Sequence, residues 1–398
     1  MDILFIAHCP PYPPRVDERG LIYYLAREYE RRRQLVDLVC FYDRPEQLAD
    51  VPRYSHLFRD IKLVPSVQKT PGQLQQRLRK NTLHFPKNAN EAWSPEMWEA
   101  IDFFLQTKPY LITYLFGALD VYEYHYLVQH YPTIFVPLAA HSHALPTRIA
   151  ATKTRSEKKQ LQQLLNVARS YESWMYTPFS RVVVNTENDA RVLSSADPSL
   201  NVHVIPMGVD VDYFVPTGYP PAIPALLFIG DFANKDHCDA AVQICKYIYP
   251  QVRRNRPDLE LYIVGDNPPP ELKNFASEKV YITGHVLDVR PLFELSSIYV
   301  NPLVRQTGIN KRILESLAMM TPVVATPKSC EGLSLQHEQH ILLGESGEEL
   351  VRGIQRLLQS PQLYQRLQHD GRDLINQHYT WQHVADQYQH LHSKLLGY

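Results

Sequence analysis

Along most of the chain, short runs of β-branched and other apolar residues alternate with longer stretches whose apolar positions recur every three or four residues. In the first half, DILFIA (2–7), LVDLVCFY (35–42), DIKLVP (60–65), YLITYL (110–115), TIFVPL (133–138) and RVVVNT (181–186) read as strands. Helical spacing over 20–33, 95–106, 145–175 and 187–195 separates them. The second half repeats the theme with ALLFIG (225–230), LELYIVG (259–265), VYITG (280–284), IYVNPL (298–303), TPVVAT (321–326) and HILLG (340–344). Helices are expected there near 236–255, 288–296, 309–319 and 345–376. Strands joined through helices are crossover-connected, so the pattern predicts an α/β fold of two doubly wound parallel sheets.

Both periodicities fail in IPMGVDVDYFVPTGYPPAIPA, residues 205–225, where five prolines and two glycines fall together. The expected organisation is a Rossmann-like domain over 1–206, a linker over 207–224, a second Rossmann-like domain over 225–379 and a terminal helix over 380–398. That tail, TWQHVADQYQHLHSKLLGY, has helical spacing but few strongly apolar positions, and is expected to pack back on the first domain. Two domains suit a chain of 398 residues. Two such sheets would face a cleft, and ligands of open α/β sheets lie beyond the carboxyl ends of the strands.

Charge narrows the partners. Lys and Arg number 41 against 42 Asp and Glu, a formal charge of -1, so no whole-protein field favours nucleic acid. Local basic stretches remain at ERRR (30–33), RLRK (77–80) and KTRSEKK (153–159). They offer peripheral contact with anionic lipid at the inner membrane face, or simply solvated helix faces. The five cysteines, Cys9, Cys40, Cys238, Cys245 and Cys330, form no CxxC pair and suit reduced thiols and a cytoplasmic setting. The first apolar run is too short for a signal peptide, and no run reaches the roughly 20 apolar residues of a membrane span. No GxGxxG follows a predicted strand, which argues against a dinucleotide-binding oxidoreductase.

The most distinctive stretch is QTGINKRILESLAMMTPVVAT, 306–326. Ile309, Ile313, Leu314, Leu317 and Ala318 fall on one helical arc, which puts Thr307 and Gly308 at a helix N-terminus just beyond a strand. Lys311, Arg312 and Glu315 lie on the opposite arc. The simple explanation is a solvated face with a Lys311–Glu315 pair one turn apart, worth roughly 0.2–0.5 kcal/mol. The functional one begins with the unpaired amides and positive dipole end of the helix, which favour phosphate. Arg312 would add charge, and the Glu315 carboxylate would accept from both hydroxyls of a ribose.

These residues carry a family resemblance. From 226 to about 387, through FIGDFANKDHCDAAV, YPQVRRNRPDLELYIVG, VYITGHVLDVRPLF, VNPLVRQTGINKRILESLAMMTPVVATPKSCEGLS and HYTW, the chain resembles retaining GT-B glycosyltransferases of the family-4 type. The sugar transferases of exopolysaccharide clusters are especially similar. IPMGVDVDYFVP resembles the family's linker, and HCPPYPPRVDE and RSYESWMYTPFSRVVVNTENDARVL carry a weaker match in the first domain.

The resemblance implies a GT-B hexosyltransferase of polysaccharide biosynthesis. Such an enzyme moves sugar from a nucleoside diphosphate sugar to a hydroxyl of a glycan or lipid-linked acceptor, with retention and without a metal or other cofactor. By the motif, Arg312 binds donor phosphate where lysine is commoner, Glu315 holds the ribose, and Thr307, Gly308, Ile309 and Asn310 offer amides, with Lys311 beside them. Gly230 matches the glycine after the second domain's first strand. The arginine many relatives carry next to it is Asp231 here, and Lys235 is the candidate replacement charge. His141, in HSH with His143, stands where relatives place a donor-contacting histidine. Asp17 and Arg19 are acceptor candidates, although Val16 stands where relatives usually have glycine.

No metal site is expected. HxH lacks a nearby ligand set, and the DxD of Asp210 and Asp212 lies inside the linker signature. The departures at Asp231 and Val16 leave open a GT-B scaffold that has lost transfer, and nucleotide-sugar epimerisation is a further alternative.

Overall fold

Among the described residues, thirteen strands in two sheets carry the architecture. In the first sheet they are β1 (Asp2–Ala7), β2 (Leu35–Tyr42), β3 (Ile61–Pro65), β4 (Ile112–Phe116), β5 (Thr133–Val136), β6 (Arg181–Val184) and β7 (Val202–Val204). In the second they are β8 (Ala225–Ile229), β9 (Glu260–Val264), β10 (Val280–Thr283), β11 (Ile298–Asn301), β12 (Val323–Ala325) and β13 (Leu342–Leu343). The structure is a computed structural model describing residues 1–15, 17–68, 70, 72–73, 85–117, 121–137, 140–152, 154–218, 221, 223–305 and 308–397. Side chains at 17, 151, 170 and 173 lie outside the description.

The first sheet runs β3-β2-β1-β4-β5-β6-β7 and the second β10-β9-β8-β11-β12-β13, with parallel pairing in both. Central strands are buried on both faces, as Ile3–Ala7 of β1 and Ala225–Phe228 of β8 show, which explains their unbroken apolar runs. β7 escaped the sequence reading because three residues with a histidine between two valines make no apolar run.

The chain divides into two compact units, Met1–Pro206 with Val384–Tyr398, and Met207–His383. The terminal helix Trp381–Leu396 joins the first unit's core through Val384, Ala385, Tyr388 and Leu391, all buried. Arg32 bonds Asp386 at 2.7 Å, and Tyr29 and Tyr114 surround His392. The 207–224 segment is no free tether. Val209 and Phe214 are buried in the second unit's core, and the Val209 amide donates to the Tyr379 carbonyl at 2.7 Å.

Three expected helices are interrupted, each for a local reason. The stretch 145–175 splits into His141–Ala151 and Arg155–Tyr176, because Thr152 and Thr154 are extended. The stretch 345–376 splits into Gly347–Gln359 and Pro361–His378, since Pro361 is tolerated only in a first turn and Ser360 caps it. Within 236–255, Lys235–Gln243 passes through a π-turn at Ile244–Ile248 into Tyr249–Arg253, ahead of Pro250, which has no N–H to donate. Among the described residues, no helix is long and apolar enough to cross a membrane.

Of the basic stretches, RLRK lies outside the described residues. In ERRR, Arg31 pairs with Glu28 and Arg32 with Asp386. Arg155, Lys158 and Lys159 are exposed.

Candidate functional site

In the second unit the chain winds outward from β8 through β9 to β10, then resumes at β11 on β8's other side. The carboxyl ends of β8 and β11 therefore flank a topological switch point, where their loops diverge and open a crevice. Gly230 follows β8 and donates its amide to the Val264 carbonyl at 2.9 Å. A Cβ at Gly265 would lie 2.1 Å from the Gly230 carbonyl oxygen, so this backbone approach requires glycine.

The carboxylate of Asp231 accepts the Ala233 amide at 3.0 Å and closes the turn after β8. Its acidity serves the loop's own backbone. Asn234 then caps helix Lys235–Gln243 by accepting the Asp236 amide at 2.9 Å. Lys235 lies on the exposed side of that helix, its ammonium 2.6 Å from Asp239 one turn on.

The loop after β11 contributes Gly308, in left-handed backbone at φ +79°. The helix begins later than the apolar spacing suggested, at Lys311, and ends at Ala318. Asn310 is its N-cap, 8% exposed, and its side chain accepts the Arg312 amide at 3.1 Å. Gly308 thus precedes the cap, and Ile309 packs at the edge of the core. Thr307 lies outside the described residues.

The arc opposite the apolar face is not uniformly solvated. Glu315 is buried at 8% exposure, and its carboxylate accepts from the Arg312 guanidinium at 2.5 Å. This pair replaces the expected Lys311–Glu315 pair as the ion pair that organises the cluster.

Sequence reasoning missed two residues of this crevice. Arg305 reaches from the β11 loop to Asp236 at 2.5 Å, tying the two loops together. His237 accepts the Asp231 amide on Nδ1 at 2.8 Å. Burial and the nearby Arg312 cation hold its pKa below the ordinary value against the pull of Asp231 and Asp236. No local spacing marks either residue, because both contacts cross between elements.

The first unit has its own switch point between β1 and β4. His8, just past β1, directs Nδ1 to the Phe116 carbonyl at 3.1 Å and Nε2 to the Glu18 carboxylate at 2.7 Å. Both ring nitrogens donate, so the ring is an imidazolium. Burial opposes that charge, but hydrogen bonds to Cys9 and Glu18 push its pKa up to about 11. Gly117, at φ +130°, makes room, since a Cβ there would lie 2.8 Å from His8 Nδ1. HCPPYPPRVDE contained both His8 and Glu18, yet nothing in their spacing marked them as partners. Among the described residues, His8, Cys9 and Glu18 also form the one grouping of metal-type donors, within 4.8 Å of one another.

His141 opens helix His141–Ala151, its amide donating to the Glu172 carboxylate at 2.5 Å. Burial pushes the Glu172 pKa up to about 7. Desolvation and the Arg148 cation lower the His141 pKa against the opposing charge of Glu18, so this imidazole is neutral at pH 7. His143 is turned elsewhere, with Nδ1 2.8 Å from buried Asp189. Residues two apart on a helix do not share a face, so HxH makes no chelating pair. Arg19 donates to the Tyr12 carbonyl at 2.5 Å, while Val16 and the Asp17 side chain lie outside the described residues. The DxD segment forms a turn in which the Asp210 carbonyl accepts the amides of Tyr213 and Phe214. All five cysteines are free thiols.

Two Rossmann-like parallel-sheet units, each with a switch point, define the GT-B class of fold. Comparison with known proteins gives that class its relatives. Residues 223–360 match the family described as Glycosyl transferases group 1. The chain is 27% identical over 143 residues to Glycosyltransferase 1 domain-containing protein 1 of Xenopus tropicalis. That match takes in 34% of this chain and 41% of the relative, less than half the relative's length.

Solved structures extend the likeness to the whole chain. Sucrose-phosphate synthase from Thermosynechococcus elongatus aligns with a TM-score of 0.70 at 16% identity, covering 100% of this chain and 99% of that one. Anabaena HepE, crystallised with UDP, aligns with a TM-score of 0.68 at 15% identity, covering 99% of this chain and 100% of that one.

Proposed function

We propose that the protein is a retaining, family-4-like glycosyltransferase that moves a sugar from a nucleoside diphosphate sugar to an acceptor hydroxyl. The observation that carries this reading is the pairing of half-buried Arg312 with buried Glu315, in the first half of a helix rising from a switch point, inside the segment matching group 1 glycosyl transferases.

A buried carboxylate bound to a single guanidinium nitrogen keeps further lone pairs for ribose hydroxyls. A guanidinium carries five N–H donors in a planar fork that suits phosphate oxygens. Gly308, Ile309, Asn310 and Lys311 offer amides, and Thr307 joins them by the motif. As the bond from the anomeric carbon to the phosphate oxygen breaks, negative charge gathers on the diphosphate. Stabilising that charge is the protein's largest lever on rate. The acceptor oxygen bonds to the anomeric carbon on the same face, and its proton passes to the departing phosphate oxygen, which gives retention. Neutral His141 is assigned a contact to donor sugar or phosphate, and Asp17 and Arg19 belong to the acceptor side. Lys235 would serve phosphate only by leaving Asp239. No step is assigned to a metal.

HepE structures hold UDP with glucose and UDP-glucose, which makes UDP-glucose the first donor to try. A lipid-linked or glycan acceptor in polysaccharide synthesis, met in the cytoplasm or at the inner membrane face, fits the resemblance. The test is a panel of UDP-, GDP-, ADP- and TDP-sugars scored for diphosphate release with and without such acceptors. Acceptor-dependent release with an α-to-α or β-to-β product supports the reading. Inversion would overturn the retaining mechanism. A binding scaffold is the second reading, favoured by the departures at Asp231 and Val16 and by the engagement of Lys235 with Asp239 on the helix after the β8 loop. Its signature is nucleotide binding without release for any acceptor.

A further inference from the structure

The β8 loop lacks the cation that relatives place beside Gly230, and its nearest substitute by sequence, Lys235, sits on an exposed helix face paired with Asp239. A different side chain occupies the crevice. His237, half-buried on the first turn of helix Lys235–Gln243, lies beneath the Gly230–Asp231 turn, where a Cβ at Gly230 would come 3.2 Å from the His237 Cβ.

Its protonation pattern follows from one hydrogen bond. An amide can only donate, so Nδ1, which receives the Asp231 amide at 2.8 Å, must hold a lone pair. The neutral ring then carries its proton on Nε2. Among the described residues Nε2 has no hydrogen-bond partner, and it is not among the buried polar atoms left unsatisfied. The ring therefore presents a fixed N–H to solvent from a wall of the crevice. Arg312 is close enough for its charge to act on the ring.

We infer that His237 is a donor-site residue whose Nε2–H binds the distal phosphate of the nucleoside diphosphate. This deepens the glycosyltransferase reading and rests on it. A neutral donor suits this position. It adds a hydrogen bond to the phosphate without a second cation to compete with Arg312 for desolvation, and the Asp231 amide fixes its direction before the ligand arrives. Asp231 thereby acquires a role: its carboxylate closes the turn that aims its own amide at the ring.

Two substitutions separate the two ends of the ring. His237→Asn keeps an acceptor near Nδ1 for the Asp231 amide but cannot reach as far as Nε2. His237→Gln places an N–H near the Nε2 position. Titration calorimetry with UDP and UMP, repeated with GDP and GMP and with ADP and AMP, reads the contact. For the base that binds, His237→Asn is expected to weaken the diphosphate about tenfold and leave the monophosphate unchanged, while His237→Gln recovers most of the loss. Equal diphosphate affinity in wild type and His237→Asn would overturn the inference alone. Equal loss of monophosphate and diphosphate would also overturn it, by showing a loop effect. If the wild-type protein binds none of the diphosphates, the glycosyltransferase reading fails and this inference fails with it.

Discussion

Arg312 and Glu315 stand one helical turn apart with guanidinium Nη1 2.5 Å from carboxylate Oε2, the carboxylate on the buried side and the guanidinium half-exposed. A pair placed only to decorate a surface would be exposed at both ends and worth little. Here one partner has been taken out of water. Glu315→Gln should therefore lower nucleoside diphosphate affinity at least tenfold, because the ribose loses a charged acceptor. Calorimetry checks this, and affinity equal to wild type would return the pair to a structural role.

Among the described residues a Cβ at Gly308 would meet nothing within 4 Å, yet its φ is +79°. The constraint is torsional. Gly308→Ala should cost about 1–2 kcal/mol in the loop, whereas Gly308→Asn should cost less because asparagine tolerates left-handed backbone. Thermal unfolding of the two variants, and their diphosphate affinities, should rank in that order.

Gly265 is constrained by space instead. Gly265→Ala would drive a methyl to 2.1 Å from the Gly230 carbonyl, and backbone must move to relieve it. The expected cost is about 1–3 kcal/mol, seen as a lowered unfolding midpoint, with weakened diphosphate binding because the displaced loop carries Asp231 and the amide that aims His237. A stable variant with unchanged affinity would show that the β8 loop does not line the site.

These contrasts mark what the sequence made legible. The alternation of apolar runs gave twelve of the strands, because strands buried on both faces leave an unbroken signature, whereas β7 with its central histidine leaves none. Arg312 and Glu315 could be singled out because their spacing is local to one helix. His237, Arg305, His8 and Glu18 could not, since each acquires its partner across loops that only the sheet order brings together. The helix start moved from 309 to Lys311 because apolar spacing does not register a cap, and Asn310 is one.

His392 gives the first unit a pH dependence. The ring is 3% exposed, holds Nε2 against the hydrogen-bonded hydroxyls of Tyr114 and Tyr29, and leaves Nδ1 without a partner. Burial depresses its pKa to about 3, against about 6.5 when unfolded, so the unfolded chain binds the proton first. Its contribution is complete above pH 6.5 and is lost as pH falls toward 3, amounting to about 2–3 kcal/mol by pH 4.5. Chemical unfolding at successive pH values should show that slope in the wild type and a shallower one in His392→Gln.

The central claim is that residues 308–315 hold a nucleoside diphosphate. Calorimetric titration of the wild-type protein with UDP, GDP, ADP and TDP, beside Arg312→Ala and Glu315→Ala, tests it most directly. The account predicts saturable binding of at least one diphosphate, with Arg312→Ala losing more affinity for the diphosphate than for the nucleoside and Glu315→Ala losing affinity for both. No binding of any diphosphate by the wild type, or binding untouched by both substitutions, would contradict it.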